Sequence, residues 1–125
     1  MIGNETPRIL VVDDKVDMAE MVADDLCDRG YEGVAVSSGV EALHLLQTQR
    51  FDALVTDLRM SGMDGFALLR ASQSLDPSRP VILMTAFAAI DTAMRAFEVG
   101  AYQYLMKPFR LDALAKVLEK ALHRH

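Results

Sequence analysis

The chain is short of cysteine, of long apolar runs, of basic excess and of linker-like composition, and each shortage narrows what it can be. There is one cysteine, Cys27, among 125 residues, which rules out an internal disulfide and a multi-cysteine zinc site. Cys27 falls in a helical pattern, so a small buried or half-buried filler is expected there rather than a reactive thiol. No uninterrupted apolar stretch approaches the ~18 residues of a membrane span, and residues 1–8 carry no signal-peptide pattern. A cytoplasmic location without membrane contact is the expectation. The formal net charge of −5 argues against a basic face on this segment that grips nucleic acid. Internal repeats and low-complexity linkers are missing too, so a single domain over residues 1–125, with a loose N-terminal segment at 1–7, is expected. What the chain has in quantity is apolar: 51% hydrophobic residues, enough for a proper core and against disorder.

The apolar residues come in short runs. Ile9, Leu10, Val11 and Val12 are consecutive, and Asp13 and Asp14 follow at once. Continuous rather than alternating apolarity predicts a strand buried on both faces, as in a parallel sheet. The same pattern recurs at 53–56 before Asp57 and at 81–84 before Thr85; a shorter strand is expected at 34–36 and a fifth at 102–106, closed by Lys107 and Pro108. Helical stripes fall between them: Met18, Met21, Val22 and Leu26, stopped by Gly30; Ala42, Leu43 and Leu46, opened by a capping box of Ser38 and Glu41; Phe66 and Leu69 within 64–72. Residues 76–80 read as a plain turn cluster. Ile90, Ala93, Met94 and Phe97 form a further stripe in a helix over 89–99, stopped by Gly100. The last stripe is the clearest, with Leu111, Leu114, Ala115, Leu118, Ala121 and Leu122. Five strand–helix units with short connections imply an α/β sandwich, a parallel five-stranded sheet with helices on both faces. Right-handed crossovers favour the flavodoxin-like (βα)5 order 2-1-3-4-5.

Ligands of such sheets bind beyond the strands' carboxyl ends. Asp13, Asp14, Asp57, Thr85 and Lys107 all stand at those ends. Each alone reads as an ordinary helix cap or a solvated charge; the five together read as a site. A carboxylate that closes a buried strand is costly unless water, a cation or hydrogen bonds meet it. Three clustered carboxylates repel, so a cation is needed to keep them ionised. Hard oxygen donors at a partly solvated position favour Mg2+. Asp57 is then the expected nucleophile and phosphate acceptor. The Thr85 hydroxyl, the Lys107 ammonium and backbone N–H groups would stabilise the incoming phosphoryl group. No serine or cysteine is paired with a general base, so acyl-transfer hydrolysis has no support.

This constellation resembles the receiver domain of two-component response regulators, and the likeness runs from Arg8 to the last helix. The resemblance implies that Asp57 takes phosphate from a sensor histidine kinase or phosphotransfer protein. It implies that Asp14 and Asp57 bind Mg2+ directly with the backbone carbonyl of Arg59, while Asp13 acts through a metal-bound water. Thr85 and Lys107 would contact the phosphoryl oxygens, and the Lys107–Pro108 peptide would be cis. As a switch, Thr85 would move toward the phosphate and Tyr104 would turn inward. The face formed by the fourth helix, fifth strand and fifth helix would then act on an output domain of the same longer protein, or form a homodimer. Ile90-Asp91-Thr92-Ala93-Met94 and Gly100-Ala101-Tyr102-Gln103-Tyr104-Leu105 further resemble receivers of NtrC-like, sigma-54-dependent transcriptional activators. Such a domain is not a classical enzyme: it is a phospho-acceptor that slowly catalyses its own phosphorylation and dephosphorylation.

Two residues depart from that pattern. Lys15 stands where receivers commonly carry another acid, which puts a cation at the pocket rim. Ser61 replaces a common proline, which costs ~0.4–1 kcal/mol where the loop conformation suits proline. Arg59 and Phe87 flank the phosphate in receivers and tune its lifetime. The rival readings are a degenerate or stand-alone receiver that serves as an interaction module, a haloacid-dehalogenase-like phosphatase, and a flavodoxin. The phosphatase would need D-x-D after its first strand, and the flavodoxin a Ser/Thr/Gly-rich loop there; Asp13-Asp14 matches neither.

Overall fold

Each apolar run forms a strand, and each stripe forms a helix. The computed structural model describes residues 6–86 and 90–123, apart from the Ile90 side chain. Their order is β1 Arg8–Val12, α1 Val16–Asp28, β2 Glu32–Val36, α2 Gly39–Thr48, β3 Ala53–Asp57, α3 Gly65–Leu75, β4 Val81–Thr85, α4 Ile90–Val99, β5 Gln103–Met106 and α5 Leu111–Leu122. The strands pair in parallel in the order β2-β1-β3-β4-β5, as the strand–helix alternation predicts. The expected start of α4 at Ala89 and the inward Ile90 side chain lie outside the described residues, as do residues 1–5 of the N-terminal segment. Within that segment, the carbonyl of Pro7 accepts from the Glu32 N–H at 2.9 Å.

The two-residue period of a strand sorts its side chains between two cores. Ile9, Val11, Ala53, Val55, Ile82 and Met84 pack with α1 and α5. Leu10, Val12, Leu54, Val81 and Leu83 pack with α2, α3 and α4. The central strands β3 and β4 are buried at every position. Caps fix two helix starts. Ser38 Oγ accepts from the Glu41 N–H at 3.1 Å and Asp64 Oδ1 from the Ala67 N–H at 2.9 Å, each worth about 1 kcal/mol.

The helix stripes need correction. On α1 Val22 and Leu26 are buried as expected, together with Ala19 and Ala23, but Met21 is about half exposed; on α4 Ala96 is buried while Met94 and Phe97 are about half exposed. Cys27 is exposed rather than buried, and its Sγ accepts from the Gly33 N–H at 3.3 Å. The turn at 76–80 is also more than a turn. Arg79 is buried; its Nε donates to the Phe51 carbonyl at 3.1 Å and its Nη1 to Ser72 Oγ at 2.9 Å.

Candidate functional site

The strand ends bring the polar residues together. Beyond β1 the Asp13 N–H donates to the Val36 carbonyl at 3.2 Å, so the chain runs one residue further beside β2. Beyond β3 the Leu58 N–H reaches the Met84 carbonyl at 3.0 Å, and after β5 the Lys107 N–H reaches the Thr85 carbonyl at 2.7 Å. These bonds hold Asp13, Asp57, Thr85 and Lys107 along one edge. Asp13 is fully buried and satisfied on both oxygens: Oδ1 accepts from the Lys15 N–H at 2.9 Å and Oδ2 from Lys107 Nζ at 2.7 Å. Asp57 is 7% exposed. Lys107 Nζ lies 3.7 Å from Asp57 Oδ1, an ion pair too long for a hydrogen bond. Asp14 is exposed. One carboxylate oxygen each from Asp13, Asp14 and Asp57 fall within 4.8 Å of one another, a set that could hold a metal ion. A cleft of about 440 Å³ opens over them, lined by Asp14, Lys15, Asp57, Arg59, Thr85 and Lys107 among others.

Burial pushes the Asp57 carboxyl above its ordinary value, and the charges of Asp13 and Asp14 push the same way. Lys107 and the Leu58 N–H pull it down without offsetting the burial. Burial is the dominant cause, and the neighbouring carboxylates add to it. Lys107 is closer to Asp13 than to Asp57, an asymmetry that spacing could not reveal.

The loop after β3 has its own geometry. Gly62 has φ +75°, the left-handed region that favours glycine. Gly65 has a different reason to be glycine: a Cβ there would lie 2.5 Å from the Asp57 carbonyl oxygen and 2.7 Å from Leu58 Cα. Ser61 is exposed, and nothing in the structure explains it.

Tyr104 is not among the residues lining the cleft. It pairs in register with Leu83, is half-buried against the core beneath α2, α3 and α4, and has its phenol pushed up by burial. Phe87 lies outside the described residues. The Lys107–Pro108 peptide is cis, as the resemblance implies. One contact near the site carries no signal in the sequence. The Arg95 guanidinium on α4 lies 4.6 Å from the centre of the Phe66 ring, beside a second cleft that Arg59 and Thr92 also line.

Comparison with known proteins agrees with this architecture. The transcriptional regulatory protein ZraR of Escherichia coli K12 is 42% identical over 118 residues, covering 94% of this chain and 27% of that protein. The chain therefore spans about a quarter of the length of that curated relative. The chemotaxis protein CheY4 of Vibrio cholerae superposes with a TM-score of 0.88 at 32% identity, over 94% of this chain and all of the other. A response regulator of Burkholderia pseudomallei, solved with a phosphorylated aspartic acid, a calcium ion and citrate, gives a TM-score of 0.85 at 30% identity. That match covers 92% of this chain and 68% of the other. Residues 9–119 match the response regulator receiver domain family, and with the sheet order and strand-end carboxylates this chain belongs to it.

Proposed function

We propose that Asp57 is a reversible phosphate acceptor whose acyl phosphate switches the face formed by α4, β5 and α5. The observation that carries this is a buried carboxylate at a strand end, paired with Lys107 and crowded by two further carboxylates. The donor set is all oxygen and opens to solvent on the Asp14 side, which suits Mg2+. Asp14, Asp57 and the backbone carbonyl of Arg59 would hold the ion, with Asp13 acting through water. Bound Mg2+ would neutralise carboxylate and phosphoryl charge and keep Asp57 ionised.

An Asp57 oxygen attacks phosphorus of a phosphohistidine on a sensor kinase or phosphotransfer protein. A P–O bond forms, the P–N bond breaks, and its electron pair stays with the imidazole nitrogen. Lys107 and the Thr85 hydroxyl stabilise the phosphoryl oxygens. Hydrolysis of the mixed anhydride resets the site. The turnover is self-directed and slow, so the chain is a switch rather than a classical enzyme.

The output belongs to a longer protein. ZraR is a transcriptional regulatory protein several times longer than this chain, which supports a receiver that controls transcription, in the manner of NtrC-like, sigma-54-dependent activators. The cytoplasm is the proposed location, and no helix among the described residues is long and apolar enough to cross a membrane.

Incubation with Mg2+ and acetyl phosphate should add one phosphate by intact mass, and Asp57→Asn should abolish it. Equal labelling of that variant would overturn the assignment. An unlabelled wild-type chain would instead favour an interaction module. Beryllofluoride with Mg2+ should also shift the NMR signals of Tyr104 and its β5 neighbours.

A further inference from the structure

Lys15 breaks two local rules at the mouth of this cleft. It occupies the N-cap of α1, where Ser, Thr, Asp and Asn are favoured, and its side chain makes no cap hydrogen bond. A cation there also faces the positive end of the helix dipole. Nothing in packing accounts for it: Lys15 is exposed and makes no ion pair among the described residues. A residue that breaks local preference without a structural gain is a candidate for function. Its placement is fixed by its own backbone, because the Lys15 N–H donates to Asp13 Oδ1 at 2.9 Å. Lys15 lines the cleft over Asp57, together with Asp14 and Thr85.

We propose that Lys15 is a specificity-determining residue that favours capture of a dianionic phosphodonor while weakening Mg2+ binding. This inference rests on the reading of Asp57 as phosphate acceptor. The opposed signs are its content. An ammonium at the rim attracts a phosphoryl dianion and repels a divalent cation approaching the same carboxylates. Lys107 cannot take the same role, because its Nζ is held on Asp13 at 2.7 Å and is largely buried. Lys15 and Arg59 are the exposed cations that line this cleft, and of the two Lys15 directly follows the Asp13–Asp14 pair.

The test compares the wild-type chain with Lys15→Glu and the charge-preserving Lys15→Arg. Mg2+ alone is titrated against each and followed by calorimetry and amide NMR shifts. Phosphorylation by acetyl phosphate is then timed at saturating Mg2+. Lys15→Glu should bind Mg2+ about fivefold more tightly and be phosphorylated about threefold more slowly at low ionic strength. Lys15→Arg should match the wild type in both, and about 1 M salt should shrink both differences. A change in only one constant, no change in either, or differences that persist in high salt would overturn the inference. A wild-type chain that takes neither Mg2+ nor phosphate would overturn the Asp57 reading and this one with it. A wild type that is labelled normally while Lys15→Glu matches it would sink this inference alone.

Discussion

At the scale of the single residue, Asp57 is a charge held where the fold does not favour it. Burial raises its pKa above 3.8 by more than Lys107 lowers it. A carboxyl with a raised folded pKa binds its proton more tightly in the folded chain than in the unfolded one. Its stabilising contribution is therefore full below the unfolded pKa and is lost as pH rises through the folded value. At neutral pH the ionised Asp57 works against the metal-free fold. Asp57→Asn keeps the shape and removes the charge, so it should stabilise the metal-free chain on the order of 1 kcal/mol in urea denaturation at pH 7. That advantage should fade as pH falls below the raised folded pKa toward 3.8, where wild-type Asp57 is protonated when folded and increasingly when unfolded. Added Mg2+ should stabilise the wild type more than the variant. A variant less stable than wild type without metal would show that Lys107, not burial, dominates at this position. Asp13 differs because both its oxygens already have donors in Lys15 and Lys107. Neighbouring acids at one site thus carry different burdens.

At the scale of the element, the β3–α3 loop shows which features can be read from a sequence. An apolar run ended by a polar residue marks a strand and what stands at its carboxyl end, so the convergence of Asp13, Asp14, Asp57, Thr85 and Lys107 on one edge was legible. Their burial and pairing were not, because those depend on which carboxylate the Lys107 ammonium reaches. Helical period was weaker evidence: it found α1 and α4 but selected Met21, Met94 and Phe97 over the alanines that pack on the sheet. Periodicity cannot separate a stripe facing the core from one left for a partner. Arg79 was illegible because its partner, the Phe51 carbonyl, is 28 residues away. The close approach of Gly65 to the Asp57 backbone has no local signal in the sequence, and it yields a comparison. Gly65→Ala should destabilise by about 1–3 kcal/mol and slow phosphorylation, since its Cβ meets backbone at 2.5 Å. Gly62→Ala meets nothing within 4 Å and should cost about 1 kcal/mol through its positive φ, with phosphorylation unchanged. Equal effects in thermal melts and labelling rates would mean that both glycines serve the turn alone.

At the scale of the whole molecule, the question is how a change at Asp57 reaches a partner. β5 is an edge strand of the sheet, and Met106 at its end pairs in register with Thr85. The site is therefore one strand away from a surface. Met94 and Phe97 on α4 and Met106 on β5 are 58%, 49% and 53% exposed. Large apolar side chains left this open mark interaction surfaces when they lie together. A shift of Thr85 toward a phosphoryl group would pull on the β4–β5 ladder through the Lys107 N–H, which the Thr85 carbonyl accepts at 2.7 Å. Met106 and Tyr104 ride on that ladder. A ligand at Asp57 shifts this equilibrium only to the extent that it binds one arrangement better than the other. The expected outcome is an increase in self-association on activation. Sedimentation velocity should show a monomer without phosphodonor and a growing dimer fraction with beryllofluoride and Mg2+. Phe97→Glu should abolish the dimer without reducing phosphorylation, because it changes the surface and leaves the cleft intact. A monomer in both states at high concentration would end the homodimer reading and leave the face to an output domain. A dimer unaffected by Phe97→Glu would move the interface to another face.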